Sequence, residues 1–198
     1  MTAGQSAGVS IYLSSSEGVT NLLLTLPWAG DRFTNASLTV AAPQIGSQTL
    51  QDLGTHLVLG FQTTPGQVLQ GTQYVAELNF GSVSNQHSAL FKLPAAAIQG
   101  VKPDGLGYAY YVQHPGMVTI FADNPLLWAN GATYSGNNST LFMTLYGKPG
   151  VNYQLQYSTN LSRPGNWYPL FNYTQTNDAM SVGLDSTNQI ILYRVFQP

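Results

Sequence analysis

Two glutamates, six aspartates and three histidines are all that this 198-residue chain has for acid–base or metal chemistry. Hydrolysis of a glycoside takes two carboxylates about 5 to 10 Å apart across the scissile bond. Glu17 lies in a serine-rich stretch. Glu77 sits in the alternating run YVAELNF, on the face opposite its apolar residues. Both read as solvated carboxylates rather than as a catalytic pair. A structural or catalytic zinc needs three or four converging ligands, and His56, His87 and His114 are far apart with no ligand spacing. Asp31 and the Asp123–Asn124 pair are isolated, whereas calcium asks for dense oxygen ligands. There is no Gly-x-Ser-x-Gly elbow for a nucleophilic serine and no Gly-Lys-Ser/Thr phosphate loop. With no cysteine, thiol chemistry and a disulfide scaffold are both excluded. The expectation is a protein that is not an enzyme and holds no metal or cofactor.

Aromatic rings and amides are what the chain has in quantity. Ten of its twelve tyrosines fall between Tyr108 and Tyr193. Rings flanked by Asn and Gln can stack on sugars and bind their hydroxyls, and Trp128, Tyr134, Tyr157 and Tyr168 are the candidates for such a glycan site. The same rings suit strands and packing. Tyr153, Leu155 and Tyr157 share one strand face, with Gln154 and Gln156 on the wet side, and Trp167 is expected to plug a core.

Charge is scarce. Lys, Arg, Asp and Glu make up 7% of residues, against roughly 25% in ordinary soluble domains. A formal net charge of -2 gives no field to hold a polyanion, so no nucleic-acid partner is expected. No apolar run is long enough for a transmembrane helix, so no membrane insertion is expected. The opening MTAGQSAGVS lacks the basic region and apolar run of a signal peptide; an extracellular or cell-surface location is expected, with the export signal outside this stretch. Five Asn-x-Ser/Thr triplets, at Asn35, Asn137, Asn138, Asn160 and Asn172, fit chance in a chain this rich in Asn, Ser and Thr.

The elements that would carry these residues read as short strands between Gly/Pro turns. Strands are expected at Val9–Leu13, Val19–Leu26 (halted before Pro27), Phe33–Val40, Thr55–Phe61, Tyr74–Phe80 and Ala89–Leu93, with a turn at Ser14–Gly18. Period two places Tyr74, Ala76, Leu78 and Phe80 inward. Pro94–Ile98 fits one helical turn. Further strands are expected at Tyr108–Val112, Met117–Ala122, Thr140–Tyr146, Asn152–Tyr157, Tyr168–Tyr173 and Ile190–Phe196, with a tight turn at Lys148-Pro-Gly150 and a longer loop, LSRPGN, from Leu161. The fold class is all-β: two tandem antiparallel β-sandwich domains, 1–108 and 109–198.

The strand VSIYL, the Gly18–Leu26 strand, the stretch FTNASLTV and the run GTQYVAELNF make residues 7 to 105 resemble the cohesin-like β-sandwich family. That resemblance implies a jelly-roll-like, extracellular module; cohesins bind dockerin modules through one sheet face, and some members are structural spacers. No dockerin-type calcium loop occurs in this sequence, and no family binding residue maps onto it. Gly147-Lys-Pro-Gly150, the run YQLQYSTNL from Tyr153, Trp167, Leu170 and the closing LYRVF make residues 125 to 198 resemble a β-sandwich module found at the C-terminal ends of large exported proteins of Verrucomicrobia-like bacteria. This second resemblance implies extracellular context and a fibronectin- or immunoglobulin-like architecture, with no assigned chemistry.

The function expected is therefore a non-catalytic extracellular structural or protein-interaction module of a larger exported bacterial protein. Its partners would be other extracellular protein modules, or its own copies joined through sheet edges that carry little charge to blunt them. The alternative is a carbohydrate-binding module that meets polysaccharide through exposed Tyr and Trp.

Overall fold

A computed structural model describes residues 1–84, 87–122, 124–135, 138–159, 166–186 and 191–198, without the side chains of 134, 135, 138, 185 and 186. Asp123, Asn137, Asn160, residues 161–165 and residue 190, all named above, lie outside the described residues. The chain is all-β, with antiparallel sheets in two compact units. One is built mainly from Ala3–Ser84 and Leu90–Val118, the other mainly from Thr119–Pro198.

The first unit contains β1 (Ser6–Val19), β2 (Asn21–Pro27), β3 (Phe33–Val40), β4 (Ile45–Asp52), β5 (His56–Thr63), β6 (Leu69–Ser82) and β8 (Ala97–Val101). β7 (Ala89–Leu93) and β9 (Gly116–Ile120) run to its boundary and pair with each other. One sheet has the order β1-β6-β3, the other β4-β5-β2-β8. Alternation makes the core: Leu22, Leu24 and Leu26 on β2 are buried, as are Leu57, Leu59 and Phe61 on β5 and Ala76, Leu78 and Phe80 on β6. Each such leucine or phenylalanine is worth about 1.5 to 3 kcal/mol. Trp28, Phe33, Phe80 and Phe91 pack their rings together at one end, with centroids 4.9 to 5.5 Å apart.

Four expectations in this unit are corrected. Tyr74 does not point inward. The β1–β6 register slips so that Ile11 faces Ala76 while Tyr12 faces Tyr74. The extra residue, Val75, is buried beside Ala76, and Tyr74 packs on Tyr12 outside, with centroids 5.2 Å apart. Ser14–Gly18 is not a turn, because the long β6 ladder carries β1 through it, with Ser14 opposite Thr72 and their hydroxyls 3.0 Å apart. Pro94–Ile98 forms no helical turn; its last two residues, Ala97 and Ile98, pair with Thr25 and Leu24 as the start of β8. Tyr108–Val112 is not a strand, and its side chains anchor it instead. β4 was not expected from its polar sequence, IGSQTLQD.

The second unit contains β10 (Leu126–Ser135), β11 (Asn138–Tyr146), β12 (Asn152–Ser158), β13 (Tyr168–Thr174), β14 (Ala179–Ser186) and β15 (Leu192–Phe196), in sheets β10-β11-β14 and β13-β12-β15. Met143, Leu145, Leu155 and Leu184 form its buried centre, with Leu127, Phe171, Val182 and Val195 packed around them. The Lys148-Pro-Gly150 turn is present, and Gly150 has the positive φ of 85° that glycine tolerates best. The wet side of β12 is corrected in part: Gln156 is buried, only 8% exposed. Trp167 is half-buried and lies under the guanidinium of Arg194, 4.3 Å from ring to Cζ, rather than plugging the core.

Candidate functional site

The groups able to do acid–base chemistry are dispersed. Glu17 is 2.5 Å from Lys102 Nζ, and this bond holds the lysine ammonium charged above its ordinary pKa. Glu77 lies 3.5 Å from the Tyr74 hydroxyl, and Asp31 pairs with Arg32 at 3.3 Å. His56 bonds its neighbour Thr55 at 3.0 Å, and His87 bonds Asn124 at 2.5 Å. Among the described residues no three His, Cys, Asp or Glu side chains are placed to hold a metal ion.

The glycan candidates fall on both sheets of the second unit. Trp128 is 40% exposed on β10. Tyr157 on β12 and Tyr168 on β13 meet, with centroids 5.7 Å apart and planes at 37°, and Tyr168 is half exposed. Tyr134 stands opposite Ser139 in β10, and its side chain lies outside the described residues.

A line of polar side chains runs across the β13-β12-β15 sheet. Gln154 Nε2 donates to Asn172 Oδ1 at 2.7 Å, Gln156 Nε2 donates to Gln154 Oε1 at 2.5 Å, and Arg194 Nε donates to Gln156 Oε1 at 2.7 Å. Arginine can only donate, so it fixes the orientation of every amide in the row. Arg194 also lies near Phe196, 5.8 Å from the ring. The glutamines, Trp167 and the closing Tyr-Arg were visible as a pattern, but nothing local in the sequence joins Trp167 to Arg194.

A concave feature belongs to the first unit. A cleft of about 660 Å³ opens where β1 ends one sheet and β8 ends the other. Part of its wall is aliphatic, with Val9, Ile11 and Leu13 from β1, Leu22, Leu24 and Leu26 from β2, and Ile98 from β8, and the rest is set by β1 serines and by Tyr108, Tyr111, Gln113 and His114. The β1 residues Val9, Ile11 and Leu13 are only half-buried, although they occupy a core face. No Lys, Arg, Asp or Glu lines the cleft. A strap, residues 106–115, lies across it without strand structure. The strap is tied down by side chains and backbone together. The Tyr108 hydroxyl donates to Gly18 O at 3.0 Å, the Tyr111 hydroxyl accepts the Gly100 N–H at 2.7 Å, and Gln113 Oε1 accepts the Ala95 N–H at 2.6 Å. The strap's backbone engages the end of β8 as well: Tyr108 N–H donates to Gly100 O at 3.2 Å, Gly107 bridges Val101, and Leu106 O accepts the Lys102 N–H at 2.8 Å. β1 pairs with β6 alone, so one edge of this 14-residue strand is unpaired among the described residues.

No family model matches the chain, and no curated protein is significantly similar to it. Solved structures do show a likeness. The crystal structure of the sixth cohesin of scaffoldin B from Acetivibrio cellulolyticus, in complex with a mutant Cel5 dockerin, superposes with a TM-score of 0.52 at 14% identity, covering 61% of this chain and 92% of the matched chain. The CaDoc0917–CaCohA2 complex gives a TM-score of 0.51 at 15% identity, again covering 61% of this chain and 92% of the matched one. At these identities the likeness is one of fold: the chain contains a cohesin-like β-sandwich.

Proposed function

We propose that this chain is a non-catalytic, extracellular interaction module that takes up an extended segment of another protein at β1. The observation that carries this reading is the coincidence of the unpaired β1 edge with a largely apolar cleft that no Lys, Arg, Asp or Glu lines. A strand added to that edge would satisfy its free backbone groups, and its alternate side chains would enter the cleft. Specificity would come from shape and apolar burial, since the cleft offers no charge. The solved structures with the same fold contain cohesins in complex with dockerins, which supports a protein as the partner. The strand-addition mode itself rests on the edge and cleft of this chain.

Within this reading the chain comprises two tandem domains, 1–108 and 109–198, the first jelly-roll-like and the second fibronectin- or immunoglobulin-like. The second would be the module of exported Verrucomicrobia-like proteins that its motifs resemble. The test is a titration with an uncharged peptide that alternates valine and serine, read by NMR of the β1 amides. Saturable shifts along β1 that weaken in Ile11→Trp, which fills the cleft, are expected. Shifts absent from β1, or unchanged in the filled variant, refute the reading.

A carbohydrate-binding role through Trp128, Tyr134, Tyr157 and Tyr168 is the second reading, favoured by the exposure of Trp128 and Tyr168. A glycan array decides it: binding lost in Tyr168→Ala or Trp128→Ala supports it, and an empty array removes it.

A further inference from the structure

We infer that Arg194 is a receptor for a carboxylate carried beside an apolar residue of a partner protein. Arginine has five N–H donors. One, on Nε, is taken by Gln156. The others, on the two Nη atoms, have no acceptor among the described residues, and Arg194 makes no ion pair there. The side chain is exposed, yet it is not free to wander. Its plane lies over Trp167 at 4.3 Å and near Phe196 at 5.8 Å. Its Nε is held by a nearly buried glutamine, and that glutamine is held in turn by Gln154 and Asn172. A flexible surface arginine loses much of its binding energy to ordering; this one is ordered before the ligand arrives.

The geometry selects the ligand. With Nε occupied, the two Nη atoms present a pair of parallel donors at the end of the fork, which matches the two oxygens of a carboxylate. Phe196 is 45% exposed beside the guanidinium, so the group attached to the carboxylate meets a ring. An acidic sugar would instead need partners for its several hydroxyls, and of the neighbouring amides Gln154 and Gln156 each have their Oε1 and one N–H committed within the row. A protein carboxylate, whether a chain terminus or an acidic side chain, with an apolar neighbour fits both features. Trp and Arg are also the residues that most often dominate binding energy at protein interfaces. This site lies on β15, so it stands or falls independently of strand addition at β1.

The test is NMR of the full chain, following the Arg194 Nε–Hε and Trp167 indole resonances. The probes are N-acetylphenylalanine, its uncharged amide, and glucuronate. The free acid should shift both resonances saturably and bind at least about tenfold more tightly than the amide, because its bonds are charge-assisted. The effect should weaken as salt is added and disappear in Arg194→Gln. Arg194→Lys keeps the charge but not the fork, and should weaken binding about fivefold or more; it is also the decisive variant if circular dichroism shows that Arg194→Gln does not fold. Equal response to acid and amide, no response at all, or full binding in Arg194→Lys overturns the inference. Tighter binding of glucuronate than of N-acetylphenylalanine overturns the protein carboxylate in favour of an acidic polysaccharide.

Discussion

Replacing Gly147 by alanine would set a methyl group against the ring of Tyr153. A Cβ built on Gly147 falls 2.7 Å from Cε2, 3.0 Å from Cζ and 3.1 Å from the hydroxyl oxygen of that ring. The ring cannot easily retreat. Tyr153 is 1% exposed, packs against Tyr173 with centroids 5.7 Å apart, and accepts the Lys148 N–H at 3.0 Å. Overpacking of this kind costs about 1 to 3 kcal/mol, and displacing the hydroxyl forfeits a hydrogen bond worth about 0.5 to 1.5 kcal/mol. Gly147→Ala should therefore destabilise the second unit by ~2–4 kcal/mol in urea denaturation. A double-mutant cycle isolates the cause. In a Tyr153→Leu background, where the ring is gone, the same alanine should cost less than ~1 kcal/mol. A Gly147→Ala protein within ~0.5 kcal/mol of the parent, or an equal cost in both backgrounds, refutes the argument that Gly147 is there to seat Tyr153.

Burial, with a smaller contribution from Tyr153, raises the pKa of Tyr173 well above its ordinary value. The resulting stability is complete below the unfolded pKa of about 10 and is lost as pH rises through the raised folded value. Tyr173→Phe should flatten the fall in stability above pH ~10, leaving the part owed to Tyr193, whose pKa burial also raises. At neutral pH it should match or exceed the parent by up to ~1 kcal/mol, since the buried Tyr173 hydroxyl has no partner among the described residues; urea melts across this pH range measure both. Asn35 has φ 55° where the β3–β6 register slips. Asn35→Gly should be neutral, and Asn35→Val should cost ~1–2 kcal/mol in the same assay. The Asp31–Arg32 and Glu17–Lys102 ion pairs are both partly exposed, so raising NaCl from about 0.05 to about 1 M should change stability by less than ~1 kcal/mol, read from the urea midpoint.

Much of the strand content was legible because burial alternates along single strands. Leu22, Leu24 and Leu26, or Tyr153 and Leu155, announce an inward face with no knowledge of what they pack against. The signal failed where pairing overrides alternation. The register slip that buries Val75 turns Tyr74 outward, and the slip between Ala129 and Gly131 interrupts the pattern of β10. β4 lies at a sheet edge with mostly polar residues, so it left no pattern to read. β14 does carry one, with Met180, Val182 and Leu184 two apart and turned to the core, but its apolar residues alternate with Ser181 and Gly183, a composition that also fits a loop. Tyr108–Val112 has strand-like composition yet is held by the hydroxyls of Tyr108 and Tyr111 rather than by a ladder. The site was less legible still. An unpaired edge, a cleft between two sheets, and an arginine lying over a tryptophan 27 positions earlier are properties of chain crossing, which residue spacing does not encode.

Amide hydrogen exchange along β1 probes the proposed acceptor edge most directly. In the free chain, amides between Ser6 and Ser16 that bond β6 should exchange slowly, while those on the other edge should exchange fast. Adding the alternating valine–serine peptide should slow the outward amides by about tenfold or more. Outward amides already protected in the free chain, or left fast when the peptide is present in excess, would contradict strand addition at β1.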